Sequence, residues 1–320
     1  MKFLLLLTLI ISNPVLAEIL FEESFENTDY TSRGWYDVVA GGLQSTAEHI
    51  DGSTRSLECT FNQGASGCAQ RSIGRKLFTE TEIVYLTYYI KYSANWQGSN
   101  RGYHPHEFYF ITNVDSRWIG PAITHLTAYV EQNEGQPLIA IQDALNVDKN
   151  CILRNDDYFI GCNGNFSTYV FSENRSVSAC NGLMGYLENR DCFAYGDEWY
   201  SARAWKADGV YFRDTQGDFY KNDWHRVEAM FELNSIQNSR GVADGKIRYW
   251  LDGNLLISSD HILFRTNSHP NMRFNQLIFG PYIGDGSPLQ QTFWVDNLTI
   301  STHRIHSDGD PAPTPDPTPD

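Results

Sequence analysis

Residues 82–92 read Glu-Ile-Val-Tyr-Leu-Thr-Tyr-Tyr-Ile-Lys-Tyr, and similar runs follow at 103–110, Tyr-His-Pro-His-Glu-Phe-Tyr-Phe, and at 124–131, Thr-His-Leu-Thr-Ala-Tyr-Val-Glu. Because successive side chains of a β-strand point to opposite faces, their alternation predicts three strands of one sheet with an apolar and a polar face. The polar positions hold phenols, carboxylates, a lysine and a histidine, which favours a binding surface over a merely solvated face. They are Tyr85, Thr87, Tyr89, Lys91, Glu107, Tyr109, His125, Thr127, Tyr129 and Glu131.

The N-terminus has the pattern of a secretory signal peptide. Lys2 provides a basic start, residues 3–11 are almost wholly apolar, and Val15-Leu16-Ala17 forms a small-residue cleavage site. We therefore predict that the mature chain starts at Glu18, after removal of residues 1–17, and that the protein is secreted to the extracellular space or the periplasm. No later run approaches the roughly 20 apolar residues that a spanning helix needs, so we predict no membrane span.

Composition favours one all-β domain over residues 18–304. Aromatic residues make up 14% of the chain, and Gly, Asn and Asp recur at short intervals, as in folds with many strands and turns. The formal net charge of −15 argues against a nucleic-acid-binding protein, which would carry a basic stripe. Residues 305–320 are rich in Pro, Thr and Asp, which is typical of a disordered linker.

The six cysteines form close pairs along the chain. The pairs are Cys59 with Cys68, Cys151 with Cys162 and Cys180 with Cys192. In an exported protein this spacing favours three local disulfides, although other pairings are open. Four of the cysteines lie in residues 145–205, where alternation stops. We interpret this segment as a disulfide-stapled insertion over one side of the sheet, and its role as functional cover or surface excursion is open.

Regular alternation returns in residues 223–233 and 245–251, and Asp252-Gly253 after them predicts a tight hairpin turn. The side chains on the opposite face from the apolar positions of these runs are Arg226, Glu228, Arg248 and Trp250.

Five segments carry a recognisable layout. They are Phe-Glu-Glu-Ser-Phe-Glu from position 21, Tyr-Ile-Lys-Tyr from 89, Asp-Trp-His-Arg-Val-Glu from 223, Gly-Lys-Ile-Arg-Tyr-Trp-Leu-Asp-Gly from 245 and Val-Asp-Asn-Leu-Thr-Ile from 295. Together they resemble the concanavalin A-like lectin/glucanase jelly rolls, in particular the polysaccharide-lyase branch, over residues 19–302. The resemblance implies an antiparallel two-sheet β-sandwich whose concave sheet holds a glycan in a groove.

The resemblance also implies a structural calcium between the first and last strands. Glu22, Glu23 and Asp296 would supply its oxygens, or these residues are plain surface acids. The carboxylate strand motif of the retaining glucanases is absent, as are the Arg-x-Glu-x-Arg and Gln-x-His signatures of one alginate-lyase group. The resemblance therefore implies the fold more specifically than the catalytic residues.

Cleavage of a uronate polymer by β-elimination needs three groups. A cation or donor neutralises the sugar carboxylate, a base removes the adjacent C–H proton, and an acid protonates the leaving oxygen. The polar face supplies each type, and we assign catalysis to His125, Tyr109, Tyr129 and Lys91. His125 and Tyr129 would lie about 13 Å apart along one strand, so we expect them to act with partners on other strands. A structural role for His125 is the alternative.

The predicted substrate-binding residues are Tyr89, His104, His106, Glu107, Arg226, Arg248 and Trp250. Trp250 suits sugar stacking and the arginines suit carboxylate binding. The alternative for the arginines is a cross-strand salt bridge to Glu228 or Glu107. His104 and His106 have the spacing of a metal site, but His106 also shares parity with Phe108 and fits the edge of the core.

Three functions remain open. The first is a secreted polysaccharide lyase that acts as a monomer on a uronate-containing glycan and needs no cofactor for its chemistry. The second is a non-catalytic carbohydrate-binding module. The third is a glycoside hydrolase with a carboxylate pair formed by Glu107 with Glu131 or Glu228.

Overall fold

A computed structural model describes residues 18–36, 43–68, 74–99, 105–112, 126–143, 192–195, 198–201, 204–238, 240–242, 244–262, 264–265 and 270–307. The predicted signal peptide, most of the predicted insertion and the predicted linker from residue 308 lie outside these ranges, as do His104 and His125. Within the described ranges the regular structure is β-strand, and no helix is long and apolar enough to cross a membrane.

Nineteen strands occur in the described residues. They are β1 (Ile19–Glu23), β2 (Trp35–Tyr36), β3 (Leu43–Ser45), β4 (Ser56–Phe61), β5 (Gly74–Thr81), β6 (Ile83–Tyr92), β7 (His106–Thr112), β8 (Leu126–Asn133), β9 (Gln136–Asp143), β10 (Cys192–Tyr195), β11 (Glu198–Ser201), β12 (Ala204–Lys206), β13 (His225–Glu232), β14 (Ile236–Gln237), β15 (Arg240–Gly241), β16 (Gly245–Leu251), β17 (Asn254–Ile262), β18 (Phe274–Tyr282) and β19 (Gln291–Ser301).

Two large sheets contain most of these strands. The first sheet has the order β17-β16-β13-β6-β19-β4-β3, with β1 also paired to β19. The second sheet has the order β12-β9-β8-β7-β18-β5-β2, and two small hairpins, β10-β11 and β14-β15, stand apart from both. The strands of both large sheets pair in antiparallel fashion. The predicted antiparallel β-sandwich is confirmed.

The core lies between the two sheets and contains the apolar positions predicted from the alternation. Val84, Leu86 and Ile90 of β6 are fully buried there, together with Phe108 and Phe110 of β7. The ring of Tyr88 on β6 packs against that of Phe108 on β7, with 4.4 Å between centroids. The predicted apolar face is therefore confirmed.

The prediction that these strands share one sheet is wrong, because β6 lies in the first sheet and β7 and β8 lie in the second. Since their apolar sides face each other across the core, the polar side of β6 points away from the polar sides of β7 and β8. Alternation determines which side of a strand is apolar but not which strand pairs with it. The neighbours of β6 are β13 and β19, more than 130 residues later in the chain.

The predicted hairpin turn joins β16 to β17, and a buried histidine holds it. Asp252 and Gly253 both have positive φ, 49° and 79°, as the tight hairpin turns require. The Asp252 carboxylate accepts hydrogen bonds from the His225 ring at Nδ1 (2.7 Å) and from the backbone N–H of Arg226 (2.8 Å). The Tyr220 carbonyl oxygen lies 2.8 Å from His225 Nε2. Because both ring nitrogens face acceptors, this position favours the doubly protonated imidazolium.

Burial by itself would lower the pKa of His225, but the hydrogen bond and negative charge of Asp252 and the Tyr220 carbonyl outweigh it and raise the pKa. A raised folded-state pKa contributes stability that is fully present below the unfolded-state pKa and is lost as pH rises through the folded-state pKa.

One of the three predicted disulfides lies in the described residues. Cys59 on β4 is bonded to Cys68, nine positions later, and the bridge closes a short loop at the edge of the core. The other two predicted pairs involve Cys151, Cys162 and Cys180, which lie outside the described residues, so those disulfides stay predictions.

We expect His225→Gln to lower the free energy of unfolding by about 1.5–3 kcal/mol at low pH, the usual range for hydrogen bonds to a charged group. The loss should be largest below about pH 6.5 and should shrink as pH rises through the folded-state pKa. Urea titrations from pH 5 to 9 measure it. Asp252→Asn, which keeps a residue that tolerates positive φ, should flatten the same pH dependence. A pH-independent difference between the variant and the parent would contradict the charged state of His225.

The double variant Cys59→Ser/Cys68→Ser should lower the free energy of unfolding by roughly 2–3 kcal/mol, because the unfolded chain regains the entropy of the short loop. Denaturant titration of the oxidised parent and the variant measures this difference. Treatment of the variant with reductant serves as the control. Because the variant has no Cys59–Cys68 bridge to reduce, the part of the stability difference that comes from this bridge should stay unchanged.

Candidate functional site

Two tyrosines occupy the centre of the outer face of the second sheet, the side turned away from the core. Tyr109 on β7 and Tyr129 on β8 are register partners, and their rings meet edge to face with centroids 4.8 Å apart. Both are buried, and the Tyr109 hydroxyl donates to the Gly280 carbonyl oxygen at 3.1 Å. Directly opposite residues of neighbouring strands share a face. The row of register partners across the sheet is Tyr36, Arg75, Ile278, Tyr109, Tyr129 and Ala140.

A histidine–carboxylate pair adjoins the tyrosines. His106 Nδ1 lies 2.5 Å from Glu131 Oε2, and both side chains are almost completely buried. The His106 ring is 4.6 Å from that of Tyr129 and 5.8 Å from that of Tyr109, measured between centroids. With the proton assigned to Nδ1, where it bonds the carboxylate, the lone pair of the neutral imidazole lies on Nε2. Glu131 therefore fixes the orientation of the His106 ring through Nδ1.

The alternation of β7 breaks between His106 and Phe108. The Glu107 carboxylate accepts a hydrogen bond from Tyr92 in the core, and Phe108 also packs in the core, whereas His106 contacts the outer-face tyrosines. The pairing of β7 with β18 shifts register at the same place. Phe279 to Tyr282 on β18 oppose Phe108 to His106 on β7, so this irregular pairing is a β-bulge with its extra residue on β18, opposite Glu107. The predictions that His106 follows the parity of Phe108 and that Glu107 lies on the outer face are therefore wrong.

Two cations lie on the outer face to either side of this cluster, and the sequence analysis missed both. Arg75 is buried, and its guanidinium carbon lies 5.6 Å from the centroid of the Tyr36 ring. Lys206 on β12 is the register partner of Leu138, which is in turn the partner of Glu131. Residues 74–81 and 204–206 lack sustained alternation, so the face on which these cations lie has no clear sequence signal.

The other predicted cations lie across the core, on the outer face of the first sheet. Lys91 Nζ is 2.7 Å from a carboxylate oxygen of Glu48. Because the core separates Lys91 from Tyr109 and Tyr129, its grouping with them as a catalytic residue is wrong. Tyr89 shares this outer face with Lys91, since both alternate with the core residue Ile90.

Both predicted carboxylate-binding arginines form ion pairs, but these are not the cross-strand pairs with Glu228 or Glu107 that the alternative interpretation named. Arg226 Nε is 3.5 Å from a Glu228 oxygen on the same strand, and Arg248 pairs with Asp260. Arg304, after β19, donates to both oxygens of Glu228 at 3.0 and 3.1 Å. These charges stabilise the first sheet and lie far from the tyrosines of the second.

Trp250, predicted as a sugar-stacking platform, is also on the first sheet and is buried. The Arg304 guanidinium carbon lies 4.3 Å from its ring centroid, and Tyr85 stacks beside it at 6.4 Å. The arginine covers the surface on which a sugar would stack.

The predicted calcium ligands Glu23 and Asp296 are bonded by protein donors. Glu23 accepts from the backbone N–H of Phe25, from Arg33 and from the Trp35 indole, each at 2.8 Å. Burial raises the pKa of Asp296 to about 6, against the hydrogen bonds it accepts. The described ranges contain no group of three or more His, Cys, Asp or Glu side chains placed to hold a metal ion. The structural calcium stays a prediction, as does a metal at His104 and His106.

Comparison with protein-family models gives no match, and neither does comparison with curated protein sequences. Solved structures do match. The alginate lyase vAL-1 from a Chlorella virus aligns with a TM-score of 0.54 at 11% identity, over 89% of this chain and 100% of that one. A PL-14 alginate lyase from Aplysia kurodai aligns with a TM-score of 0.50 at 13% identity, over 89% of this chain and 99% of that one. The chain therefore has the jelly-roll β-sandwich fold that these two alginate lyases share, as the resemblance implied.

Proposed function

We propose that this protein is a polysaccharide lyase that cleaves a uronate-containing glycan by β-elimination on the outer face of the second sheet. The observation that carries the proposal is the contact of the His106–Glu131 pair with Tyr109 and Tyr129 on that face. The fold shared with two alginate lyases supports it, although a fold by itself does not determine an activity.

His106 is the proposed base and Tyr109 the proposed acid. Nε2 of His106 takes the proton from the carbon next to the sugar carboxylate, and the released electron pair forms the C4–C5 double bond. The bond from C4 to the glycosidic oxygen breaks, and the Tyr109 phenol protonates that oxygen. The proton on His106 then returns to the tyrosinate through solvent, so the protein ends unchanged. His125 lies outside the described residues, so its predicted catalytic role stays a prediction.

Glu131 and Tyr129 serve this chemistry without exchanging the transferred protons. The Glu131 carboxylate holds the imidazole tautomer and stabilises the imidazolium that forms when the proton is taken. The ring of Tyr129 packs against both His106 and Tyr109 and sets their separation.

Arg75 and Lys206 are the proposed contacts for the carboxylates of the polymer. Each lies two strands away from a residue of the central cluster, roughly 10 Å at the usual strand spacing. A planar guanidinium binds a carboxylate through two parallel hydrogen bonds, whereas an ammonium acts as a point charge. Placement on both sides of the cluster suits a polyanionic chain that runs across the strands, despite the net negative charge of the protein.

The carboxylate pairs considered for a glycoside hydrolase do not form. Glu107 points into the core, Glu131 lies on the outer face of the second sheet, and Glu228 lies on the outer face of the first. Paired acid and nucleophile carboxyl groups must flank one glycosidic bond, and these groups lie on different sides of the sheets. If the protein binds a glycan but does not cleave it, it is a carbohydrate-binding module.

The first test is absorbance near 235 nm, where the unsaturated uronate product absorbs, with a panel of polyuronates and with neutral glycans as controls. We expect Tyr109→Phe to lower kcat/KM by about 100-fold or more, because it removes the acid. Tyr89→Phe is the matched control on the first sheet and should keep the parent rate. Absence of product from every polyuronate, together with retention on a glycan gel, would replace the lyase with a binding module.

Separate substitutions of His106 and Lys91 test which of the two outer faces carries the activity. His106→Gln should lower kcat by about 100-fold or more, because the base is removed while a polar side chain stays beside Glu131. Lys91→Met should leave kcat and KM near the parent values, because Lys91 lies across the core from the site. Loss of activity in Lys91→Met with retained thermal stability would refute the placement of the site on the second sheet.

A further inference from the structure

A buried acid lies directly behind the proposed site. Glu107 is 1% exposed, and its Oε1 atom lies 2.5 Å from the hydroxyl of Tyr92 on β6. Tyr92 is itself fully buried and packs against Trp96, Phe212 and Phe293. This hydrogen bond therefore joins the two sheets through the apolar core.

Burial raises the pKa of the Glu107 carboxyl well above its usual range, and the Tyr92 hydrogen bond lowers it only in part. In the described part of the chain no arginine, lysine or histidine forms a salt bridge with Glu107. A charged carboxylate without a counter-ion is costly in an apolar core. Burial therefore favours the neutral form of Glu107, for which glutamine is a close substitute.

Glu107 directly follows His106, so the Glu107–Tyr92 hydrogen bond also affects which way the His106 side chain points. Glu107 and Phe108 both point into the core, and this break in alternation places His106 on the same side as Tyr109, three residues away. A regular strand would place residues 106 and 109 on opposite faces. The direction of the His106 side chain thus depends on the residue after it staying in the core.

We propose that Glu107 is a positioning residue, whose hydrogen bond to Tyr92 across the core holds the bulge that presents His106 to Glu131 and the substrate. The proposal rests on the proposed function for its effect on rate. Its effect on His106 itself is independent of any substrate.

The test compares the kcat and KM of three variants with those of the parent. Glu107→Leu has a similar size but no hydrogen bond, and we expect kcat to fall by about 10-fold or more with KM within about twofold of the parent. Tyr92→Phe removes only the donor and should change kcat in the same direction. Glu107→Gln keeps an acceptor for Tyr92 and should restore most of the parent rate.

Tyr88→Phe is the matched control for the loss of a buried phenol. Tyr88 lies on the same strand and the same core face as Tyr92, and among the described residues the hydrogen bond to Glu107 comes from Tyr92 alone. We expect its kcat to match the parent.

The imidazole ¹⁵N NMR spectrum supplies a readout that needs no substrate, with His106→Gln used to assign the His106 signals. In Glu107→Leu and Tyr92→Phe the signals of the Nδ1–H form bonded to Glu131 should shift or broaden, whereas in Glu107→Gln and Tyr88→Phe they should persist.

Parent-like His106 signals in both Glu107→Leu and Tyr92→Phe would overturn the proposal and leave Glu107 as a core residue only. If Glu107→Leu does not fold, Tyr92→Phe and Glu107→Gln decide the question by the same signals. If the parent cleaves no polyuronate, the proposed function fails while the NMR comparison still tests the positioning role.

Discussion

The contact between the two sheets through Tyr88 and Phe108 is the constraint on which the remaining structure depends. Burial of apolar surface is the main favourable contribution to folding, and here it brings the apolar sides of β6 and β7 together. Once these sides meet, the polar sides of the same two strands must point in opposite directions. The protein consequently has two chemically distinct outer faces, and a residue on one cannot act with a residue on the other.

The two outer faces satisfy their polar groups in different ways. On the first sheet, acids and bases pair with each other, as in the contact of Glu228 with Arg226 and Arg304. On the second sheet, aromatic rings adjoin the His106–Glu131 pair, and Arg75 and Lys206 lie to either side of it. Groups paired in salt bridges contribute little to the binding of a charged ligand, whereas an oriented imidazole beside phenols has the components of general acid–base catalysis.

The bulge opposite Glu107 connects the core to the proposed chemistry. A regular strand would have turned His106 inward, where the ring would have neither Glu131 nor Tyr129 beside it. The fold instead buries an acid next to a phenol, at a cost in desolvation, and directs the histidine outward. Bulges are frequent near functional sites because they redirect a single side chain without disturbing the rest of the sheet.

Local sequence was sufficient for features that depend on neighbouring residues. It determined the apolar sides of β6, β7 and β8, the turn at Asp252 and Gly253, and the bridge between Cys59 and Cys68, because each involves residues close together in the chain. Together with the resemblance, these features predicted the sandwich and the placement of Tyr109 and Tyr129. They did not determine strand partners, which for β6 come from far along the sequence.

Only the tertiary structure decided which functional side chains meet. It separated Lys91 from the tyrosines, brought Arg75 into their row, and turned His106 outward and Glu107 inward. The physical reason is that face and register are separate properties of a strand. Periodicity encodes the face, whereas register and bulges follow from packing between segments distant in sequence, which one strand read by itself does not specify.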